Sequence, residues 1–412
     1  MKLKNTIQTA FHGLRRNTSR SLLTVLGIVI GITAIILVMS VGKGAQNLIL
    51  DQIRGLGSQT IIIGPGQEPK GPSSYAELFT DSLKEKDITA LKKPSNVRGI
   101  RDLTPNVEQI ATVSYEQETM RTNIIGTSEL LSKILEVFPN EGTFLSDNDV
   151  KQKAKVAVIG SEVKKELFGP SNALGKKIKI KGKTFEIIGV LLAKGRVSFL
   201  DVDHMVAIPY TTAQQYLLGI NYFQNIIIRV ESEDIIPRVV DEIKLTMRET
   251  HGIDDPSKDD FHVMTQADAA ERVSMITGIL TILLMSVAAI SLIVGGIGIM
   301  NIMLVTVSER THEIGLRKAI GATEKDIMQQ FLLEAMLLTA FGGLIGIGLG
   351  AFFALLTSVI LTQIIGLNWS FAFPISASIL GIGVSSTIGL IFGLYPAKRA
   401  SRLSPIEALR YE

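Results

Sequence analysis

The feature that most constrains this chain is a set of long stretches that contain no charged residue. They cover residues 21–42, 273–308 and 335–397. A helix of about 20 apolar residues crosses the hydrocarbon core of a bilayer, so each stretch is long enough to do so. The third is too long for one helix, and its middle holds turn formers and the only Trp, which are typical of a loop at the membrane surface. We therefore predict four membrane-spanning helices, at 21–42, 273–308, 335–362 and 375–397, with a short external loop at 363–374.

Basic residues flank these spans unevenly, and this predicts the orientation of the chain. The segments 1–20, 309–334 and 398–412 are rich in Lys and Arg, whereas 363–374 carries no charge. Because loops rich in Lys and Arg stay in the cytoplasm, we place both termini there and residues 43–272 outside the cytoplasmic (inner) membrane. Residues 1–20 also space their apolar side chains helically, which predicts an amphipathic helix on the cytoplasmic surface, with a plain basic flank as the alternative.

Composition excludes several classes of protein. The net charge of +3 over 412 residues gives no reason to expect a nucleic-acid partner. The chain has no Cys, which excludes disulfides, thiol catalysis and cysteine-ligated metals. The external region, at about 230 residues, is large enough to bury a core without such cross-links.

The external region 43–272 alternates strand-like and helix-like runs, which predicts an α+β domain with two lobes. Strand patterns lie at 60–63, 156–160, 205–208 and 226–230, a hairpin flanks a turn at 181–183, and helical patterns lie at 211–218 and 235–250.

A capping-box pattern predicts how this domain joins the second span. Thr265 and Asp268 have the spacing of a capping box, so we expect a helix to begin at this point and to continue through Arg272 into the membrane. Residues 44–54 have the composition of a matching extension of the first span. We call the two extensions the stalk, and we expect such helices to pass movement from one side of the membrane to the other.

The predicted spans carry small residues at four-residue spacing. Such faces allow membrane helices to approach closely, although glycine is also abundant in membrane helices in general. The candidate packing residues are Gly27, Gly31, Gly342, Gly346, Gly350, Gly389 and Gly393. No Asp, Glu, Lys, Arg or His lies within a predicted span, which argues against an ion-coupled transporter and for an energy source elsewhere.

The cytoplasmic connection 309–334 is the most informative local segment. We expect the second span to emerge as a helix through Ala319, to stop at Gly321, and to be followed by a new helix that a capping box at Thr323 and Asp326 begins. A short, highly charged helix-turn-helix in this place has two interpretations, a docking surface for a soluble partner or a solvated connector. The chemistry alone leaves both open.

No catalytic or cofactor site is recognisable. Residues 169–177 resemble a phosphate-binding loop, but Lys177 stands where Ser or Thr would bind magnesium, and the loop leads into a predicted strand rather than a helix. The histidines are scattered, and His204 beside Asp201 and Asp203 is only weakly typical of a metal ligand. A membrane-anchored enzyme therefore lacks any constellation to support it.

Segments spread along the chain resemble those of FtsX-like permeases of the MacB type. Residues 309–323 are similar to the cytoplasmic signature of these proteins, 395–412 to their usual ending, and the run from 123 to 190 to their external core domain. The resemblance covers essentially the whole chain. It implies a MacB-like core domain at 43–272 and an FtsX-like permease domain at 273–397.

The resemblance also implies partners and a mechanism. Such permeases work as homodimers or pseudo-symmetric pairs with two ABC ATPase subunits, which bind ATP–Mg, so this chain itself would hold no cofactor or metal. Its 309–322 segment resembles the coupling helix that meets the ATPase. The implied interface residues are Glu309, Arg310, Glu313, Ile314, Gly315, Arg317, Lys318, Gly321 and Ala322. ATP-driven movement would pass through the stalk to the external domain, a mode called mechanotransmission.

One departure from the MacB pattern shapes the expected function. MacB carries its ATPase domain before the first span, whereas in this chain only 1–20 precede it. We therefore expect a separate ATPase, a membrane-fusion-type adaptor, and a role in efflux of a peptide, antibiotic or toxin, as in antibiotic resistance. The alternatives are a lipoprotein-releasing permease and an FtsX-like signalling relay, although the MacB-type external match argues against the relay.

Overall fold

A computed structural model describes residues 18–54, 57–67, 80–197, 200–364 and 369–410. Most of the predicted amphipathic segment 1–20 lies outside the described residues, as does part of the loop 363–374. The chain forms two compact units, an inserted unit Ile49–Arg272 and a helical unit made of Met1–Leu48 and Val273–Glu412.

Long helices lie near both ends of the chain, and the strands lie between them. The chain begins with α1 (Thr18–Arg54), β1 (Thr60–Pro65), α2 (Glu85–Leu91), β2 (Ile100–Tyr115), β3 (Glu118–Thr127), α3 (Leu130–Ile134), β4 (Pro139–Gly142), α4 (Asp147–Lys151), β5 (Val156–Ile159) and α5 (Ser161–Phe168). It continues with β6 (Lys177–Ile180), β7 (Lys183–Leu191), β8 (Arg196–Val197), β9 (Leu200–Asp201), β10 (Met205–Pro209), α6 (Tyr210–Thr212), a π-helix (Ala213–Leu218), β11 (Asn225–Val230) and α7 (Ile236–His251). It ends with a 3₁₀ turn (Pro256–Lys258), β12 (Phe261–Thr265), α8 (Gln266–Glu309), α9 (Thr311–Ala319), α10 (Glu324–Gln363), α11 (Ile375–Ser401) and α12 (Pro405–Arg410).

The inserted unit is built on one 10-stranded sheet. Its strands lie in the order β12-β1-β11-β2-β3-β10-β5-β7-β4, and β6 pairs with both β2 and β7. The long strand β2 joins two groups of strands, because its first part pairs with β11 and its second part pairs with β3. The α+β fold is thus confirmed, and the two predicted lobes correspond to two groups of strands that β2 joins.

Alternate residues along the strands enter two different cores, as the pleat of a strand requires. Ile226 and Ile228 belong to one hydrophobic cluster, together with side chains of α5 and α7, whereas Ile227 between them belongs to the other, together with side chains of α3. Both faces of the sheet are therefore covered, which explains why its central strands read as continuous apolar runs in the sequence.

The predicted hairpin is present between β6 and β7, with a shorter turn than expected. Ile180 pairs with Lys183, so only Lys181 and Gly182 form the turn, and both have positive φ, +48° and +76°. A two-residue turn of this hand matches the twist of the flanking strands.

The four predicted spans are confirmed as helices long and apolar enough to cross a membrane. The capping box that begins α8 is also confirmed, because the Thr265 hydroxyl accepts from the Asp268 amide at 3.1 Å and the Asp268 carboxylate accepts from the Thr265 amide at 2.9 Å. α8 then runs for 44 residues without a break, and α1 runs for 37. At about 1.5 Å per residue, both are far longer than the hydrocarbon core is thick, about 30 Å. The predicted boundary between 334 and 335 falls inside α10.

Each of the candidate packing glycines lies where two helices of the helical unit meet. A Cβ atom built at Gly27 would lie 2.9 Å from the Cα of Gly295 in α8, and one at Gly346 would lie 2.8 Å from a side chain of α1. Gly31 faces α8, Gly342 and Gly350 face α1, and Gly389 and Gly393 of α11 face α10. Because glycine has no side chain, the backbones approach closely enough for a hydrogen bond of 3.1 Å from the Thr33 hydroxyl to the Gly346 carbonyl.

The loop between α10 and α11 is fastened to α1. The Ser40 hydroxyl donates to the carbonyl oxygen of Ala372 at 2.7 Å, and the ring of Trp369 packs so closely over Gly44 that a Cβ there would lie 2.6 Å from it. The only Trp thus serves as an anchor within the helical unit.

Candidate functional site

The cytoplasmic connection forms a separate helix, α9, set off by a break at each end. The sequence predicted that the helix of the second span would continue through Ala319, and this is wrong. Arg310, with φ −99° and ψ 14°, ends the helical path after Glu309. At the other end Gly321 has φ +107°, and the Thr323–Asp326 capping box begins α10 as predicted. Ile314, in the middle of α9, is buried.

The inner face of α9 is part of the hydrophobic core of the helical unit. Ile314 is 1% exposed and belongs to the same cluster as Val307, Ile327 and Phe331. Gly315 beside it is also buried. The short helix is therefore fixed to the ends of α8 and α10 by burial of apolar surface.

Three cations of this segment point inward and bind the neighbouring helices. Arg310 lies 3.4 Å from Glu334 of α10, and both side chains are largely buried, at 16% and 6% exposure. Arg317 donates to Gln330 at 2.7 Å and pairs with Glu313 at 2.5 Å. Removing one partner of a buried ion pair leaves an uncompensated charge, so these contacts hold α9 in a defined orientation.

Lys318 joins α9 to the end of α11. Its ammonium group donates to the carbonyl oxygens of Ser401 and Leu403, at 2.5 and 2.9 Å. A cation at the carboxyl end of a helix is favoured by the helix dipole. The C-terminal helix α12 packs along α9 as well, with Ala408 buried at 1% exposure.

The outer face of α9 is exposed and apolar. Leu316 is 52% exposed and Ile320 is 79% exposed, and His312 lies on the same face one turn earlier. We call His312, Leu316, Ala319 and Ile320 the outer face. Two large exposed aliphatic side chains on a helix held rigidly from behind form a surface suited to a protein partner.

The predicted interface residues divide between the two sides of α9. Glu309 and Gly321 are exposed, Arg310, Glu313, Arg317, Lys318 and Ala322 are half-buried, and Ile314 and Gly315 are buried. The sequence reasoning missed the outer face itself. The signal was present, because His312, Leu316 and Ile320 are spaced by four residues and so share one side of a helix.

The other candidate sites have ordinary structural roles. The loop that resembles a phosphate site leads from α5 into strand β6, as predicted, so no helix begins there. His204 lies 3.1 Å from Asp201 and has no further acidic neighbour that would complete a metal site among the described residues. Across the described parts of the chain, no group of three or more His, Asp and Glu side chains is placed to hold a metal ion.

A buried histidine of the inserted unit is held between two acids. His251 is 4% exposed, and its Nδ1 lies 2.6 Å from Asp260. Its Nε2 lies 3.1 Å from the carboxylate of Asp87, which is fully buried. The carboxylates of Asp87 and then Asp260 raise the pKa of His251 above its usual range, because they favour the imidazolium form.

Comparisons with known proteins agree with this architecture. The MacB-like periplasmic core domain family matches residues 21–245, and the FtsX-like permease C-terminal family matches residues 274–405. The chain is 38% identical over 407 residues to the macrolide export ATP-binding/permease protein MacB of Bdellovibrio bacteriovorus, which covers 98% of the chain and 61% of that protein. It is 35% identical over 416 residues to the ABC transporter permease YknZ of Bacillus subtilis, with 100% of both chains covered. The chain is also similar to the crystal structure of the periplasmic region of MacB from Actinobacillus actinomycetemcomitans, with 23% sequence identity and a TM-score of 0.46. This match covers 55% of the chain and 97% of the crystal structure.

Four membrane-spanning helices with an extracytoplasmic domain inserted after the first define the class of protein as an ABC transporter permease. The chain belongs to the MacB/FtsX-like family of these permeases, as the resemblance implied. It spans about three-fifths of the length of the MacB relatives that it matches, 61% for the protein from Bdellovibrio bacteriovorus. The matched part is the permease part.

Proposed function

We propose that the chain is a permease subunit that couples ATP hydrolysis by an ABC ATPase to expulsion of a substrate by its extracytoplasmic domain. The outer face of α9 carries this proposal. It presents exposed Leu316 and Ile320 on a helix that is fixed from behind by Ile314 and by inward-pointing cations. An ATPase that docks on this face would bind a helix that is fixed to the helical unit rather than a mobile loop.

The contacts of α9 support mechanical coupling. Arg310 and Arg317 bind α10, Lys318 binds the end of α11, and Ile314 packs against the end of α8. A displacement of α9 therefore acts on three membrane helices at once. Because α8 is unbroken from Gln266 to Glu309, a tilt at its cytoplasmic end moves its other end as well. Mechanotransmission through the stalk is the mode that this arrangement favours.

The composition of the spans supports an external source of energy. The predicted spans contain no Asp, Glu, Lys, Arg or His that could carry a coupling ion, which favours an energy source outside this chain. We propose that ATP–Mg is held by the ATPase and that this chain has no cofactor of its own. We further propose a homodimer with cytoplasmic termini and a membrane-fusion-type adaptor. The name of the relatives from several bacteria, macrolide export, makes a macrolide the first substrate to test.

The test is a pull-down of the full chain from its native membrane in mild detergent, with the partners identified by mass spectrometry. We expect an ABC ATPase to be recovered, and Leu316→Glu to reduce its recovery about tenfold or more, because a charge enters the centre of the docking face. The matched control is Leu245→Glu, which makes the same change at a 65% exposed position of the inserted unit and leaves recovery unchanged.

Recovery of the ATPase with Leu316→Glu at the level of the unaltered chain would contradict the docking assignment. Absence of any ATPase, under conditions that retain other membrane complexes, would contradict the coupling function as a whole. The other proteins recovered decide between roles, since an adaptor supports export, a lipoprotein supports lipoprotein release, and a cell-wall hydrolase supports a signalling relay.

A further inference from the structure

The inserted unit contains a cavity on the face of the sheet that α3 covers. Its volume is about 180 Å³, and its walls include the aliphatic side chains of Ile62, Ile125, Leu131 and Ile227. A closed apolar cavity of about 150 Å³ holds one benzene ring, so the aliphatic part of this space has room for a compact apolar group of about that size.

Two amide oxygens in this cavity accept no hydrogen bond from the described residues. Asn106 of β2 and Asn225 of β11 lie directly opposite each other in the sheet, and both line the cavity. The Oδ1 atoms of both are buried and accept no hydrogen bond from the part of the chain that the structure describes, and Asn106 is only 2% exposed. Buried polar atoms of native proteins are nearly always paired, so these acceptors indicate a ligand that donates hydrogen bonds.

A carboxylate stands beside the two amides. Glu108 follows Asn106 by two residues on β2, which places it on the same face of the sheet, and it also lines the cavity. Among the described residues, no hydrogen bond or ion pair reaches this carboxylate, whereas the Glu108 amide donates to Gln224. At the edge of an apolar space the cavity therefore offers two unpaired amide oxygens and one negatively charged carboxylate, and Asn123 is a further polar residue in its wall.

We propose that this cavity binds a protonated amine that carries a compact apolar group, with the ammonium between Asn106, Asn225 and Glu108. An ammonium has three donors and one positive charge, which match two amide oxygens and one carboxylate. An anion of the same size would be repelled by the negative charge of Glu108, and a neutral alcohol offers a single hydrogen-bond donor. The site is independent of ATPase docking, so it goes beyond the proposed function.

The test uses the full chain in nanodiscs of uncharged phosphatidylcholine. Three fluorinated probes of nearly equal size, 4-fluorobenzylamine, 4-fluorobenzyl alcohol and 4-fluorobenzoate, are titrated and followed by ¹⁹F NMR. We expect saturable binding of the amine, about tenfold or more tighter than that of the alcohol, because hydrogen bonds between charged partners are the stronger ones. Benzoate should not bind.

Variants then assign the binding to the cavity. Glu108→Gln should weaken binding of the amine about tenfold, to the level of the alcohol, whereas Glu118→Gln, the same change at an exposed position of β3, should leave it unchanged. Ile62→Phe fills the cavity from a half-buried position and should remove binding of all probes. Equal affinities for amine and alcohol, or an amine affinity that Glu108→Gln does not change, would overturn the proposal. Glu108→Gln is conservative and half-buried, so it decides the question even if Ile62→Phe fails to fold.

Discussion

The buried side chain of Ile314 attaches α9 to the helical unit, and its burial gives the free energy that its removal should cost. Ile314→Ala removes three carbon atoms from a side chain that is 1% exposed and packed against Phe331 and Ile327. The lost transfer free energy is ~2 kcal/mol, and the cavity left behind raises the total to ~2–5 kcal/mol. This free energy is lost from the contacts that attach α9 to the helical unit. We therefore expect local opening of α9 to become about 30-fold more frequent or more.

Ile320, directly after the last residue of α9, provides a matched control. Ile320→Ala removes the same atoms from a side chain that is 79% exposed, so its effect on local stability should stay within ~0.5 kcal/mol. Amide hydrogen exchange of residues 311–319, measured by mass spectrometry on the full chain in detergent, reports the opening free energy directly.

The two variants should also differ in function in opposite ways. Ile314→Ala leaves the outer face in place, so ATPase binding should persist while ATP-driven transport falls. Ile320→Ala alters the outer face, so ATPase binding should weaken while the exchange of α9 stays as in the unaltered chain. Equal exchange in Ile314→Ala and Ile320→Ala would refute the claim that α9 is held by its buried face.

Further predictions concern packing, pH and nucleotide. Gly346→Leu should lower the free energy of unfolding of the purified chain by ~2 kcal/mol or more, because a Cβ there would lie 2.8 Å from a side chain of α1. Gly348→Leu is the control and should be neutral, because a Cβ there meets nothing within 4 Å. Equal melting temperatures of the two variants would contradict the packing assignment. Because Asp87 raises the pKa of His251 above 6.5, the stabilisation by this pair should be complete below about pH 6.5 and be lost as pH rises through the raised pKa. Thermal unfolding of His251→Gln between pH 5 and 9 should lack this dependence, and an unchanged pH profile would count against it. The purified chain without an ATPase should hydrolyse no ATP, and Lys176→Ala should change nothing, since its loop leads into a strand; turnover by the pure chain would contradict this.

Local rules made the membrane helices and their starting points predictable from the sequence. The absence of charge over long stretches requires helices in a bilayer, and the Thr265–Asp268 and Thr323–Asp326 pairs follow a spacing that satisfies amides of the first helical turn. The β6–β7 hairpin was predictable for the same reason, because its turn involves neighbouring residues only.

Features that depend on distant contacts could not be predicted in this way. The side of α9 that faces inward is set by partners such as Ser401, 83 residues from Lys318, so the sequence assigned the buried Ile314 to an outward surface. Arg310, at the break between α8 and α9, likewise pairs with a residue distant in sequence, Glu334. Asn106 and Asn225 belong to no motif in the sequence, and only the sheet register places them side by side in a cavity.

The most direct test of the central claim is site-specific photo-crosslinking from the outer face of α9. p-Benzoylphenylalanine is introduced at Leu316 in the full chain, irradiated in native membranes, and the crosslinked protein is identified by its peptides. Leu245, 65% exposed in the inserted unit, serves as the control position. We expect a crosslink to an ABC ATPase from Leu316 and none from Leu245. An ATPase crosslinked from Leu245, or no ATPase crosslinked from Leu316 while it is present in the same membranes, would contradict the claim.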